Sequence, residues 1–376
     1  MDSRTEARES HAGSVGEWTP GGEFTLGAEE ELLLVDDRGH LLGPQASSVI
    51  ATSRQHVPAG MIGEEIFVDE VELRTFVCTE AEELTESLRA LRGSLAENGA
   101  VAMAVGVHPA AAFGQAPTAT SPRYDALGAE FAGLLRTPTA AFQVHVGLPD
   151  PETALAAYRG LRNRLSVFRA LAAGSPYWHG CDSGLACSRA AVIRSYPRTT
   201  MPPALPGWEE YVEKVDRLML VEELTDYTYV CWELRPHPRW GTVEVRVMDA
   251  QHSLARAAGL AALVQGVARH AVERPDLDDL PDEAVLANDF RACRYGLDAS
   301  ILDPEGSRRP IRDVVSRALE EAERMLRPDG LDGPLKRFRS MLTDPPEYAR
   351  QRDLCRQHGM PALLADLVAR TAEAET

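Results

Sequence analysis

The chain has 376 residues, 44% of them hydrophobic, which suits one large domain or two ordinary ones with a sizeable core. Its 57 acidic residues outnumber 39 basic ones, for a net charge of −18. A surface this acidic repels nucleic acid and anionic membranes, so neither is expected as a partner, whereas a small polyanion needs only a local cluster of arginines and a cation.

Residues 1–22 are polar and end in the Pro20-Gly21-Gly22 break, which reads as a flexible N-terminal tail before a single domain, 23–372. The tail holds no apolar core of signal-peptide length, and no run approaches the roughly 20 residues that span a bilayer. Six cysteines (Cys78, Cys181, Cys187, Cys231, Cys293 and Cys355) form no CxxC pair. They read as reduced thiols, which points to the cytoplasm.

Phe24 to Val35 reads as a strand, and Val71 to Thr75 as a second, alternating one. Residues 80–98 are helical, with Leu84, Leu88, Leu91 and Leu95 three or four apart. The stretch AVAMAVGVHP, 100–109, is a short buried strand ending at Pro109. Residues 110–137 start irregular and turn helical to about Leu135. TAAFQVHVGLPD, 139–150, alternates and stops at a turn. Thr153 to about Ala173 is one amphipathic helix. Ser175 to Pro206 is rich in loops and too long for an idle connector, so a substrate loop is expected there. Strands Val230–Arg235 and Thr242–Met248 and a helix Leu254–Val272 follow, and the remainder is mostly helical. Strands and helices mix without regular βαβ alternation, and no glycine-rich phosphate fingerprint follows a strand. This predicts an α+β fold with a largely antiparallel sheet, neither Rossmann nor P-loop.

The stretch GAEEELLLVDD, 27–37, sets three carboxylates against a run of leucines. Alternation puts Glu29 and Glu31 on one face of the strand, about 7 Å apart, and Glu30 on the other. A lone pair of this kind is commonly a solvated edge, but other strands repeat the pattern. Glu72 stands between Val71 and Leu73. In Val243-Glu244-Val245-Arg246-Val247, the charges share one face and the valines the other. Several such strands in one sheet predict a polar face able to hold a cation. Magnesium suits an all-oxygen set, while no tight His/Cys set favours zinc.

Five segments then carry a resemblance: FTLGAEEELLLVD, FQVHVGLPD, SPYWHGCDSGLACSRAAVIRSYP, WELRPHPRWGTVEVRVMDAQ and RACRYGLDASILDP. In this order and spacing, over roughly residues 22 to 372, they resemble the bacterial carboxylate–amine ligase family, also called glutamate–cysteine ligase type 2. The family looks like a branch of the glutamine synthetase and guanido kinase superfamily. The resemblance implies a curved, mainly antiparallel sheet forming a funnel, flanked by helices. It implies an ATP-dependent reaction in which a carboxylate takes the γ-phosphoryl group and an amine displaces phosphate from the acyl phosphate. Weak glutamate–cysteine ligase activity, amino-acid substrates and a homodimer come with it.

Carried over residue by residue, Glu29 and Glu31 would ligate Mg²⁺ (Mn²⁺ being an alternative), with Glu72 and Glu244 completing the set. Arg246 would bind the transferring phosphoryl group. Arg189 would grip the substrate carboxylate or a phosphate, with Arg235 a candidate for the same task, and Arg294 would face the nucleotide phosphates. One position departs from the family's His-Val-His-Val-Gly: here it is Gln143-Val144-His145-Val146-Gly147. Gln143 keeps an oxygen for a cation but loses the imidazole, and His145, on the same face, would contact substrate or nucleotide. His108 is expected to be structural. Two other readings share these residues: a phosphotransferase acting on a carboxylate or guanidino group, and a non-catalytic nucleotide- or amino-acid-binding protein.

Overall fold

The computed structural model describes residues 15–274 and 279–373. Its centre is an antiparallel sheet of seven strands: β1 (Leu26–Val35), β2 (Ile62–Glu64), β3 (Glu70–Arg74), β4 (Val101–Met103), β5 (Ala141–Gly147), β6 (Leu234–His237) and β7 (Thr242–Asp249). The order is β2-β3-β1-β5-β7-β6, and β4 also pairs with β1. With its ten residues β1 is long enough for three partners: β5 along Leu26–Glu30, β3 along Glu29–Leu33 and β4 along Leu33–Val35.

One face of the sheet is covered by helices. The helix Leu254–Glu273 lies at the centre of this layer and packs against the helices Ala81–Glu97, Pro151–Arg162, Ile311–Leu326 and Gly333–Met341. It is buried nearly all round, as a helix without a charged stripe must be. On β1 the even positions Leu26, Ala28, Glu30, Leu32 and Leu34 are all buried. Glu30 is tolerated there because Arg92 meets it with two bonds, Nε to Oε2 at 2.8 Å and Nη2 to Oε1 at 2.6 Å. Arg92 also donates to the carbonyls of Gln251 and His252, so this buried pair is fully hydrogen-bonded.

Several sequence-based boundaries shift for identifiable reasons. The strand expected over 230–235 lies at Leu234–His237, after a short 3₁₀ turn at Tyr227–Tyr229. Pro236 belongs to it because β6 is the sheet edge, where a missing N–H costs no ladder bond. The single helix expected from Thr153 to Ala173 is two, Pro151–Arg162 and Leu165–Ala172. The break is at Asn163, whose Oδ1 accepts from Leu280 N at 3.0 Å. The loop-rich stretch contains a minimal hairpin, Tyr177–Trp178 with Cys181–Asp182, and a helix, Ser188–Ile193.

Residues 1–14 of the expected tail lie outside the described residues. Residues 15–22 are fastened to the domain: Val15 is buried, Trp18 stands edge-on to Trp208, and Thr19 N donates to Pro238 O at 2.9 Å. The six cysteines are all free thiols. His108 is buried, with Nε2 on Gly39 O at 2.7 Å and Nδ1 accepting from Ala110 N and Ala111 N, a structural role. Among the described residues no helix is long and apolar enough to cross a membrane.

Candidate active site

The face of the sheet turned away from the helices borders a cavity of about 600 Å³. Strand alternation supplies its floor. Glu29 and Glu31 come from β1, Glu72 and Arg74 from β3, Gln143 from β5, Arg235 and His237 from β6, and Glu244 and Arg246 from β7. Register decides which of them meet. Glu31 pairs with Glu72 across β1 and β3, Glu29 with Gln143 across β1 and β5, and Glu244 with both His145 and Arg235. Opposite the floor stand Tyr124, Leu127 and Phe131 of the helix Pro122–Phe131, with Arg189, Ile193 and Tyr196 from the loop-rich stretch.

At one end Glu29, His145 and Glu244 each present a ligand atom, all within 4.8 Å of one another. His145 Nδ1 is 2.9 Å from Thr242 Oγ1. Its Nε2 is buried without a hydrogen-bond partner, 3.9 Å from Glu29 Oε1 and 3.8 Å from Glu244 Oε1. If the hydroxyl oxygen accepts from Nδ1–H, the lone pair of Nε2 points between the two carboxylates, the tautomer that metal-ligating histidines adopt. The donor set therefore fits a divalent cation.

Glu244 has further duties. Arg235 donates to its Oε2 from Nε at 3.1 Å and from Nη2 at 2.9 Å, and Arg246 pairs with its Oε1. Burial alone would raise the pKa of Glu244, but Arg235 and Arg246 outweigh it and hold the carboxyl well below the usual range. Arg235 spends its remaining reach on the carbonyls of Thr228 and Val230, so its guanidinium is committed to the protein.

Next along the floor lies a crowd of carboxylates. Glu31 accepts from Ala141 N at 2.7 Å and from Gln143 Nε2 at 2.6 Å. Only the amide NH₂ can face a carboxylate, so Gln143 Oε1 is the atom left over, and it is buried without a partner. The register between β5 and β7 shifts here: two residues of β7, Arg246 and Val247, lie opposite the single Gln143 of β5. Burial raises the pKa of Glu31, opposed by Arg189 and Arg246. Glu65 is pushed up to about 7 by burial and then by Glu31, and Glu70 well above its ordinary value by burial, Glu31 and Glu65. Glu72 is buried and paired with Arg74.

Two expected arginines part company here. Arg189, 5% exposed, lines the cavity; its Nη1 donates to Arg246 O at 3.2 Å and its Nε is buried without a partner. Arg294 is not brought to the cavity. It stands exposed on the helix Asp282–Tyr295, bonded to Gly184 O, because the RACRYG segment turns its outer side to solvent. Elsewhere in the loop-rich stretch, Asp182 is an exposed partner of Arg352, and Ser183 Oγ meets Ser188 Oγ at 2.8 Å.

Arg74, Glu233 and Glu65 are among the charged lining residues that sequence reading missed. Arg74 and Glu233 were reachable by parity, each two residues from a cavity-facing charge on the same strand or its lead-in. Glu65 lies in the irregular link between β2 and β3, where no period announces it.

Comparison with known proteins follows the same line. The family model described as glutamate–cysteine ligase family 2 (GCS2) matches residues 25–352. A protein of Rubrobacter xylanophilus, provisionally named glutamate–cysteine ligase 2-3, is 37% identical over 327 residues, 84% of this chain and 89% of that protein. One of Thermobifida fusca, provisionally named glutamate–cysteine ligase 2, is 32% identical over 360 residues, 92% of this chain and 90% of that one. Among solved structures, the fold is similar to a glutamate–cysteine ligase of Francisella tularensis in complex with AMP, with a TM-score of 0.70 at 13% identity over 95% of this chain and 90% of that one. It is also similar to the ligase PafA in complex with Pup, with a TM-score of 0.54 at 14% identity over 92% and 72%. At these identities the structural likeness speaks for the mixed helix and antiparallel-sheet fold.

Proposed function

The chain belongs to glutamate–cysteine ligase family 2 and is a carboxylate–amine ligase; from that premise we propose that it joins an acid to an amine at the expense of ATP, through an acyl phosphate. In this reading a carboxylate oxygen of the acid attacks the γ-phosphorus as its bond to ADP breaks. The amine nitrogen then attacks the acyl carbon, phosphate leaves with the C–O bonding pair, and the nitrogen loses a proton as the amide forms. Amino acids are the substrate class, and glutamate with cysteine is a pair to test, turned over weakly. The sheet would form the wall of a funnel, as in the glutamine synthetase and guanido kinase superfamily, in a cytoplasmic homodimer.

Glu29, His145 and Glu244 would hold a divalent cation, Mg²⁺ or Mn²⁺, with Glu31, Glu72 and Gln143 Oε1 beside them for a second. When bound, such a cation neutralises phosphate oxygens and polarises the transferring group. Arg246 and Arg189 would take up the charge that develops on the phosphoryl group and on the acid. Arg235 would act through Glu244, which it orients. The observation that carries this reading is a set of buried, unpartnered polar atoms: Gln143 Oε1 and Arg189 Nε belong to residues that line the cavity, and His145 Nε2 stands beside the lining carboxylates Glu29 and Glu244. Desolvating such atoms without partners is costly unless a ligand supplies them.

The test is release of ADP and phosphate from Mg·ATP across a panel of acids and amines, alone and in pairs. Phosphate release that needs both an acid and an amine supports the ligase. ADP without free phosphate, from a single acceptor, would mean a phosphotransferase. Tight ATP binding with no turnover on any pair would mean a binding protein, and the reading would fail.

A further inference from the structure

We infer that the nucleobase of the bound nucleotide stacks on the open face of Trp240. The inference rests on the ATP-dependent reading and adds the base site, which none of the residues discussed so far supplies.

The rings that line the cavity differ in whether a face is free. Phe67 is 1% exposed and Phe131 5%, and Tyr196 is stacked on Phe131 with centroids 5.6 Å apart and planes at 20°. Tyr229 is covered by the Arg123 guanidinium, 4.2 Å from its centroid. Trp240 also lines the cavity and is 48% exposed. His237 backs one of its faces, with centroids 4.2 Å apart and planes at 8°. The other face has the size and flatness of a purine.

The indole is held ready. It sits in the tight turn between β6 and β7, where Trp240 N donates to His237 O at 3.1 Å. Gly241 has φ +61°, and a side chain there would run into the backbone of Thr19 and Gly21. The turn is pinned from outside by Thr19 N to Pro238 O at 2.9 Å and Leu148 N to Gly241 O at 2.8 Å. His237 is fixed in turn by Tyr227, whose Oη is 3.0 Å from its Nδ1. A ring already held in place has little freedom left to lose on binding, which is where stacking platforms gain.

Position agrees with the phosphate end. The Trp240 and His145 rings are 5.5 Å apart, and His145 belongs to the Glu29–His145–Glu244 cation set. A nucleotide whose terminal phosphates meet that cation carries its base one phosphate and one ribose away, within reach of Trp240.

The test separates base from phosphates. Binding of Mg·ATP and of magnesium tripolyphosphate is measured by calorimetry for the wild type, Trp240→Ala and Trp240→Phe, with thermal unfolding to show that the variants fold. Trp240→Ala is expected to weaken ATP binding about tenfold to a hundredfold. Trp240→Phe should retain most of it, and tripolyphosphate should bind all three alike. ATP binding unchanged in Trp240→Ala would overturn the base site and leave the ligase reading standing. Equal weakening of ATP and tripolyphosphate would overturn it too, by placing Trp240 at the phosphate end. A wild type that binds no ATP would end both.

Discussion

Single side chains in this cavity carry unequal loads, and Glu29 and Glu244 show it. Both belong to the proposed cation site, yet Glu29 touches its neighbours only at long range, with Arg74 and His145 each at 3.9 Å. Glu244 neutralises two arginines and is fully buried. Glu29→Ala should therefore abolish ATP turnover with a stability change under about 1 kcal/mol. Glu244→Ala should abolish turnover and also cost about 3 kcal/mol, because it strands Arg235 and Arg246 without their partner. ADP release and urea unfolding of the two variants check both halves. Near-wild-type turnover in either would remove that residue from the cation set.

At the scale of one element, β1 assigns neighbouring glutamates to opposite sides of the sheet. Glu30 is one residue from Glu29 and Glu31, but it lies among the helices, locked to Arg92. The pair joins β1 to the helix Ala81–Glu97 and to the chain end of β7. Glu30→Ala should lower stability by about 3–5 kcal/mol through the unpaired Arg92. Turnover per folded molecule should stay at the wild-type level, read as kcat with KM unchanged at a temperature where the variant is folded. A KM for ATP raised many-fold in the folded variant would mean that the two faces of β1 are not independent. The register shift beside Gln143 belongs to the same scale: β7 sets two residues, Arg246 and Val247, against this one residue of β5, whose amide donates to Glu31 and whose oxygen is buried without a partner.

For the molecule as a whole, the crowded carboxylates set function against stability. The folded pKa of Glu65, about 7, lies above its ordinary value of 4.5. Its contribution to stability is complete below pH 4.5 and is lost as pH rises through 7, because ionising it costs more in the folded chain than in the unfolded one. Glu65→Gln should be more stable than the wild type at pH 8 by on the order of 2 kcal/mol, and the gap should close by pH 4.5. A cation held by the neighbouring carboxylates relieves the same repulsion, so Mg²⁺ should narrow the gap at pH 8. Urea midpoints at the two pH values, with and without Mg²⁺, decide the matter. A gap that is the same at both pH values would show that Glu65 is not the strained group.

Much of this was legible locally. The alternation in β1 put Glu29 and Glu31 together and Glu30 apart, the Val-Glu-Val-Arg pattern marked a strand with one wet face, and leucine spacing located the helix Ala81–Glu97. Such features depend only on the two- and 3.6-residue periods of the chain, which any short stretch displays. What the tertiary structure decided is which charges meet. Glu29, His145 and Glu244 come from strands far apart in sequence, and one slip of register would have turned a whole strand's charges to the other face. The structure spends Arg235 on Glu244, sends Arg294 to the surface, pairs Glu30 with Arg92, and brings Glu65 into the cavity from a link with no period. Those outcomes follow from burying the apolar faces of strands and helices against one another, a condition that involves distant parts of the chain at once and that no local pattern can express.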